Sequence, residues 1–261
     1  MKYVKNMTYN FKNAIIRTTN KSIQNGLSSK NLHPQYEIIV EEHTNYVKAI
    51  NDAGLKINLL EPLEEYPDSI FVEDPAIIYK SNIIILNPAD PSRNGEKNIL
   101  ENEVKHLFDN ILFIENGFIE GGDILNINNH FIIGISERTN KVGAENLSII
   151  LKKLGATVEI CKTPNDILHF KSECSVIDDE VILVSYKMAK LDYLKSHYNL
   201  IELPIGEEGA SNSLRINDKL LLPDGFVKAE EILSKKYNII KVKVDEIAKV
   251  DAGLSCMSLR W

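Results

Sequence analysis

The chain has 261 residues, 44% of them apolar and 26% charged, and a formal charge of −7. That length lies near the upper limit for one hydrophobic core, and the composition is that of a globular protein. The acidic balance and the lack of a Lys/Arg stripe argue against a nucleic-acid partner and suit a cationic ligand better.

Five segments read in chain order as amphipathic helices: 35–53, 95–108, 140–155, 187–197 and 227–236. The third is the clearest, with Val142, Leu147, Ile150, Leu151 and Leu154 on one stripe and Gly155 at the position of a C-cap glycine. After each helix comes a short run rich in β-branched residues: Ile57–Leu60, Ile111–Ile114, Val158–Ile160, Leu200–Leu203 and Ile239–Val244. Four hairpin signals follow, at Tyr79–Ile83, Ile127–Phe131, Ile177–Val181 and Ile216–Leu220, each with three turn residues between apolar ones. Their spacings are 48, 50 and 39 residues, the signature of a repeat architecture.

A fifth copy is split between the termini. Its first strand is Cys256–Trp261 and its partner is the run Ala14–Arg17. Pairing the two closes a ring and protects edge strands. The expected fold is therefore α/β: a five-bladed pseudo-symmetric propeller of strand-strand-helix-strand units, forming one domain over 1–261. A doubly wound sheet fits less well, because helices and strands do not alternate one for one.

In a closed radial repeat, equivalent positions converge on the axis. Just upstream of the hairpins stand Asp68, Phe71, Glu73 and Asp74; then Glu120 and Asp123; then His169, Lys171 and Glu173; then Ser211 and Asn212; and finally Cys256. Cys256 lies on a glycine-containing bend, where a thiolate can act as nucleophile if a base or positive charge is near. Cys161 and Cys174 fall within predicted strands and read as core residues. His169, between Leu168 and Phe170, is the candidate general acid and base. His33, His43, His106 and His197 fall in or beside helices and loops and read as surface residues; His130 falls in a turn. Glu120 precedes Gly121-Gly122, which allow close backbone approach, and reads as an oriented carboxylate partner. Glu73 and Asp74 need a cation to stay ionised: a bound guanidinium would serve, as would an internal Lys or Arg. Only five arginines occur (Arg17, Arg93, Arg138, Arg215 and Arg260), each a candidate for holding a carboxylate in bidentate fashion.

Neither zinc-ligand spacing nor a P-loop nor a dinucleotide fingerprint is found, so no metal or cofactor is implied. No apolar run approaches about 18 residues, so no membrane span is expected. The polar stretch Met1–Phe11 carries no signal-peptide core. An odd number of cysteines without a C-x-x-C pair points to a reducing, cytoplasmic compartment.

The stretches PDSIFVEDPAII, PSRNGE, IEGGDIL, SERTN, LHFKS, GASNS and DAGLSCMSLRW, in that order, resemble the bacterial dimethylarginine dimethylaminohydrolases of the guanidino-modifying (pentein) superfamily. The resemblance runs nearly the full length, from IIRTTNKSIQNGLSS onward. It implies a five-bladed α/β propeller and a catalytic set of Cys256, His169 and Glu120. It also implies that Glu73 and Asp74 hold a guanidinium, Asp68 an α-amino group, and Arg93 with Arg138 an α-carboxylate. Phe71 would wall the pocket and Leu27 would act as a lid. The implied reaction converts Nω-methylated arginine to citrulline and an alkylamine through a Cys256 thiouronium. A homodimer is implied only by analogy. The competing readings are an arginine deiminase or other guanidine hydrolase on the same scaffold, and a catalytically silent propeller that binds an arginine-like ligand. Such deiminases are usually longer, with an inserted helical region that is not found between these repeats.

Overall fold

The computed structural model describes residues 8–261. The stretch Met1–Met7, which holds most of the segment read for a leader, lies outside the described residues.

Five three-stranded sheets repeat one pattern. Strand β1 (Asn13–Arg17) leads through helix α1 (Tyr36–Asp52) to β2 (Lys56–Leu60). The second unit is β3 (Ala76–Tyr79), β4 (Asn82–Ile85), α2 (Glu96–Val104) and β5 (Asn110–Phe113). The third is β6 (Ile124–Ile127), β7 (His130–Ile135), α3 (Lys141–Lys153) and β8 (Thr157–Lys162). The fourth is β9 (Cys174–Asp178), β10 (Val181–Val184), α4 (Asp192–His197) and β11 (Asn199–Glu202). The fifth is β12 (Leu214–Ile216), β13 (Lys219–Pro223), α5 (Val227–Leu233) and β14 (Asn238–Val242). Finally β15 (Leu259–Arg260) returns to the first sheet.

In every sheet the middle strand runs antiparallel to the inner strand and parallel to the outer one, the latter reached through the helix. The hairpins turn tightly because Lys80, Asn128 and Asn217 adopt positive φ, a conformation that asparagine tolerates well. The expected closure is present: Ala14 pairs with Arg260 and Ile15 with Leu259, and the Asn13 N–H donates to the Trp261 carbonyl at 2.8 Å.

Five apolar clusters fill the wedges between neighbouring sheets. This explains the uninterrupted apolar runs. In β4, Ile83 and Ile85 point into one wedge and Ile84 into the next, so both faces of the strand are buried. Helix α1 presents Ile39, Glu42, His43, Tyr46, Ala49 and Ile50 inward at helical spacing. Helix α3 is capped by the Asn140 side chain, which accepts the Gly143 N–H at 2.9 Å, and it ends as expected just before Gly155 at φ +86°.

Several boundaries shift. The expected helix over 187–197 is a 3-10 turn at Met188–Lys190 followed by the short α4, and the helix over 227–236 stops at Leu233. The last strand covers only Leu259–Arg260, because Ser255–Met257 winds into a 3-10 turn that carries Cys256. His43 is a correction. It is 5% exposed on the inner face of α1, and burial pushes its pKa down to about 4. His33, His106 and His197 are exposed as expected, and His130 opens β7.

Candidate active site

The first strand of each hairpin (β3, β6, β9, β12) and the terminal β15 face the axis and line a central cavity. The segments that enter these strands meet at one end of that axis. Four of them wind through a 3-10 turn: Gly121–Asp123, Phe170–Ser172, Glu208–Ser211 and Ser255–Met257. Such a turn aims the residue at or just before it across the axis. Cys256, His169, Glu120, Asp74, Asp68 and Phe71, which the repeat sets at the axis, border one chamber there together with Arg93, Arg138 and Leu27, which only the resemblance pointed to.

The His169 imidazole is the centre of the charge network. Its Nε2 lies 2.9 Å from Glu120 Oε2. Burial disfavours the charged ring, but the Glu120 hydrogen bond, helped by Asp123 and Asp74, overrides this and raises the pKa to about 9. Glu120 is held in turn by the Ala89 N–H at 3.0 Å. The two glycines after Glu120 have a steric reason. A Cβ on Gly121 would stand 1.9 Å from the Glu73 carbonyl oxygen, and one on Gly122 would stand 2.7 Å from Cγ and Nδ1 of His169. A side chain at Gly121 would collide with the Glu73 backbone, and one at Gly122 with the imidazole.

Cys256 is half-buried and has access to the chamber. Burial, then Glu73 and Asp74, push its thiol up to about 12 against the opposing pull of the Gly253 N–H and Lys171. The thiol is therefore neutral at rest, and a cation arriving in the chamber would favour the thiolate.

The two adjacent carboxylates separate. Asp74 borders the chamber, where burial opposes its charge but Arg93, His169 and Lys171 hold its carboxyl below the usual range. Glu73 points the other way, into the axial cavity, and accepts from Lys171 Nζ at 2.5 Å, Arg260 at 3.3 Å and Ser255 Oγ at 3.0 Å. Both acids lie in the turn that precedes β3, where the Asp74 N–H donates to the Phe71 carbonyl, and only Asp74 of the two expected guanidinium carboxylates faces the chamber. Internal cations neutralise both.

The two arginines also differ. Arg93 is 3% exposed and occupied: Nε and Nη2 hold Glu96 at 3.0 and 2.6 Å, Nη1 holds Asp74 at 2.5 Å, and Nη2 reaches the carbonyls of Asp68 and Phe71. Arg138 is looser, with carboxylate oxygens of Glu120 and Asp90 at 3.8 and 3.9 Å. Its guanidinium is the better placed of the two to receive a ligand carboxylate. Asp68 accepts the Leu27 N–H at 3.0 Å, which ties the Leu27 segment across the chamber.

The comparisons follow this geometry. The arginine deiminase family model matches residues 38–205. The dimethylarginine dimethylaminohydrolase of Pseudomonas aeruginosa is 34% identical over 96% of this chain and 100% of its own. That of Streptomyces coelicolor is 27% identical over 95% and 96% of the two chains. A solved structure of the Pseudomonas enzyme, a cysteine-to-serine mutant complexed with citrulline, superposes with a TM-score of 0.93 at 34% identity and covers 96% of this chain and 99% of that one. The chain belongs to the dimethylarginine dimethylaminohydrolase family.

A family assignment does not itself distribute roles among residues, and the structure adds some that the sequence left aside. Asp123 is fully buried and accepts from the Phe170 N–H at 2.8 Å and from the hydroxyls of Ser136 and Thr139, each at 2.7 Å. It thereby clamps the His169 turn to the loop bearing Arg138. Asn212 holds the turn that carries Cys256, accepting the Ser255 N–H at 3.0 Å and donating to the Lys171 carbonyl at 2.8 Å. The repeat had already marked Asp123, Lys171 and Asn212 as axial; Ser255 carried no signal beyond its place beside Cys256.

One donor set could in principle hold a cation: atoms of Asp74, Glu120 and His169 lie within 4.8 Å of one another. Here Arg93 and the Glu120–His169 contact engage those atoms. Among the described residues no helix is long and apolar enough to cross a membrane.

Proposed function

We propose that this chain hydrolyses Nω-methylated arginine to citrulline and dimethylamine or methylamine, with Cys256, His169 and Glu120 as the catalytic set. The observation that carries this reading is the convergence of Cys256, the His169–Glu120 pair and Asp74 on one chamber, in a chain 34% identical throughout to such an enzyme.

The substrate guanidinium sits against Asp74, with its carbon facing Cys256. Asp68 and the Leu27 segment take the α-amino end, Phe71 walls the pocket, and Arg138 takes the α-carboxylate. Arg93 acts from behind by keeping Asp74 ionised and in place. Glu73 acts on the cysteine rather than on the guanidinium. As the guanidinium binds, the Cys256 thiol gives its proton to water, and the thiolate attacks the guanidinium carbon and forms a C–S bond. The C–N bond to the methylated nitrogen then breaks, and protonated His169 delivers its proton to the departing amine. Neutral His169 next takes a proton from water as the oxygen adds to the thiouronium carbon. The C–S bond breaks as the new hydroxyl gives up its proton, citrulline leaves, and the sulfur takes back a proton to restore the thiol. Every step uses protein groups and water alone.

Burial of the carboxylates and the orienting partners make this plausible energetically. A guanidinium is a poor electrophile, so fixing its plane and its distance from sulfur supplies much of the rate. The three free thiols, Cys161, Cys174 and Cys256, suit a reducing compartment, and we place the reaction in the cytoplasm.

The match to the arginine deiminase family model favours one second reading, in which plain arginine is hydrolysed by the same machinery. Citrulline release from dimethylarginine, monomethylarginine and arginine, with Cys256→Ser as control, separates the two. Turnover of the methylated substrates that disappears in the variant is the expected result. Turnover of arginine alone would move the substrate and keep the mechanism.

A further inference from the structure

Lys171 and Ser255 stand on the wall between two chambers, bordering both the axial cavity and the pocket that holds Cys256. Around them runs a closed ring of polar contacts. Lys171 Nζ donates to Glu73 Oε1 at 2.5 Å, and Ser255 Oγ donates to Glu73 Oε2 at 3.0 Å. Asn212 Nδ2 reaches Ser255 Oγ at 3.2 Å and the Lys171 carbonyl at 2.8 Å, while its Oδ1 accepts the Ser255 N–H at 3.0 Å. The Glu73 N–H donates to the Cys256 carbonyl at 3.1 Å. The members come from four of the five repeat units, and between them they touch three segments of the site: the His169 turn, the Glu73–Asp74 turn and the turn that carries Cys256.

We propose that Lys171 is a positioning residue for the nucleophile: clamped by Glu73 and Asn212, it fixes the Cys256 turn relative to His169 and supplies a standing positive charge at the wall of the pocket that holds the thiol. This rests on the reading of Cys256 as nucleophile.

The charge distribution supports the second half of that statement. On the acidic side, Asp68, Asp74, Glu120 and Asp251 border the Cys256 chamber, Asp224 and Asp245 border the adjoining pocket, and Glu73 lies behind the wall. On the basic side stand Arg93, Arg138, His169, Lys171 and Arg260. Arg93 is committed to Asp74 and Glu96, and His169 to Glu120. Arg260 Nη1 is spent on the carbonyls of Ser255 and Ser258. Arg138 is left for a ligand carboxylate, and Lys171, although paired with Glu73, borders the same pocket as Cys256 and acts on the thiol in the direction that favours thiolate. The bland alternative is a structural ion pair that merely neutralises Glu73. The two readings differ in one observable, since only a charge acting on the thiol alters its titration.

The test uses the full chain with Lys171→Met and Lys171→Arg. The rate of Cys256 alkylation by iodoacetamide is followed by peptide mass spectrometry, which resolves it from Cys161 and Cys174, at pH values where thiolate is the minor form. Thermal unfolding, kcat and KM for dimethylarginine are measured alongside. Lys171→Met is expected to slow alkylation about tenfold, equivalent to one unit of pKa, with a loss in kcat that exceeds any change in KM. Lys171→Arg should recover most of both. An unchanged alkylation rate together with a lowered Tm would overturn the proposal. Should Lys171→Met fail to fold, Lys171→Gln, which keeps a hydrogen-bonding group for Glu73 but no charge, serves instead: alkylation must again be slower than in the parent chain, and an equal or faster rate would overturn the proposal too. Alkylation needs no substrate, so failure to turn over methylarginine would sink the functional reading without touching this measurement.

Discussion

His169 Nε2 and Glu120 Oε2 lie 2.9 Å apart, with the carboxylate 1% and the imidazole 8% exposed. In that setting the carboxylate decides the protonation of the ring. Despite burial, which opposes it, the pair raises the histidine pKa from 6.5 to about 9, so the ring is an imidazolium, which in the proposed reaction protonates the leaving amine. Activity in the intact enzyme should therefore fall as pH rises through that region. In Glu120→Gln the fall should begin at lower pH, and kcat should drop by about 10²-fold. A pH–rate profile of kcat for both proteins checks this; coincident basic limbs would mean that Glu120 does not set the histidine.

The same pair links stability to pH. A histidine whose folded pKa is raised contributes stability that is fully present below the unfolded value of 6.5 and is lost as pH rises through about 9. Thermal unfolding between these limits should show Tm declining more steeply with pH in the parent chain than in Glu120→Gln. Equal slopes would place the titration elsewhere.

Gly122 offers a test of geometry separate from charge. A Cβ at this position would sit 2.7 Å from His169 Cγ and Nδ1, so Gly122→Ala must displace the ring or its own backbone. A displacement of about 1 Å costs roughly 10²-fold in rate. The expected outcome is a large loss in kcat with KM nearly unchanged. A Gly122→Ala protein with parental kcat would show that the ring has room the structure does not give it.

Much of this was legible in the chain, and for identifiable reasons. The four hairpin turns were visible because tight turns need residues such as Asn128 and Asn217. The terminal pairing of Ile15 with Leu259 followed from counting units, since a fifth hairpin was missing from the interior. Convergence of Cys256, His169 and Glu120 followed from the same repeat. Direction was not legible. Whether Glu73 or Asp74 faces the substrate depends on which side of the chain each projects, and adjacent acids look alike in sequence. Nor could sequence separate the two chamber arginines, since the saturation of Arg93 comes from Glu96, Asp74 and two carbonyls assembled by the fold. His43 was misread because α1 is covered on one face by the fifth unit, and its inner stripe admits Glu42 and His43 alongside apolar residues.

The thiol should report the arrival of a cation. Burial and the neighbouring carboxylates place its pKa near 12 in the free protein. A guanidinium bound against Asp74 would offset those charges and increase the thiolate fraction. A non-reacting guanidine that leaves Cys256 accessible should thus shift the thiolate absorbance titration to lower pH. Identical titrations with and without the ligand would show that ionisation precedes and ignores binding.

Arg93 and Arg138 should fail in different ways. Arg93 is 3% exposed and neutralises two buried acids, Asp74 and Glu96, at 2.5 and 2.6 Å. Removing one partner of such a pair leaves an uncompensated buried charge, which costs on the order of 3–5 kcal/mol. Arg93→Ala should therefore unfold at markedly lower denaturant concentration, and Arg93→Lys, lacking the planar fork, should recover only part of the loss. Arg138 makes no contact with a carboxylate closer than 3.8 Å. Arg138→Ala should keep the parental denaturation midpoint and instead raise KM for dimethylarginine, because a guanidinium that waits for a ligand carboxylate contributes to binding and little to folding. Denaturant melts and steady-state kinetics on the two alanine variants decide the point. A stability loss in Arg138→Ala as large as that in Arg93→Ala would return both arginines to the scaffold and leave the α-carboxylate without its proposed partner.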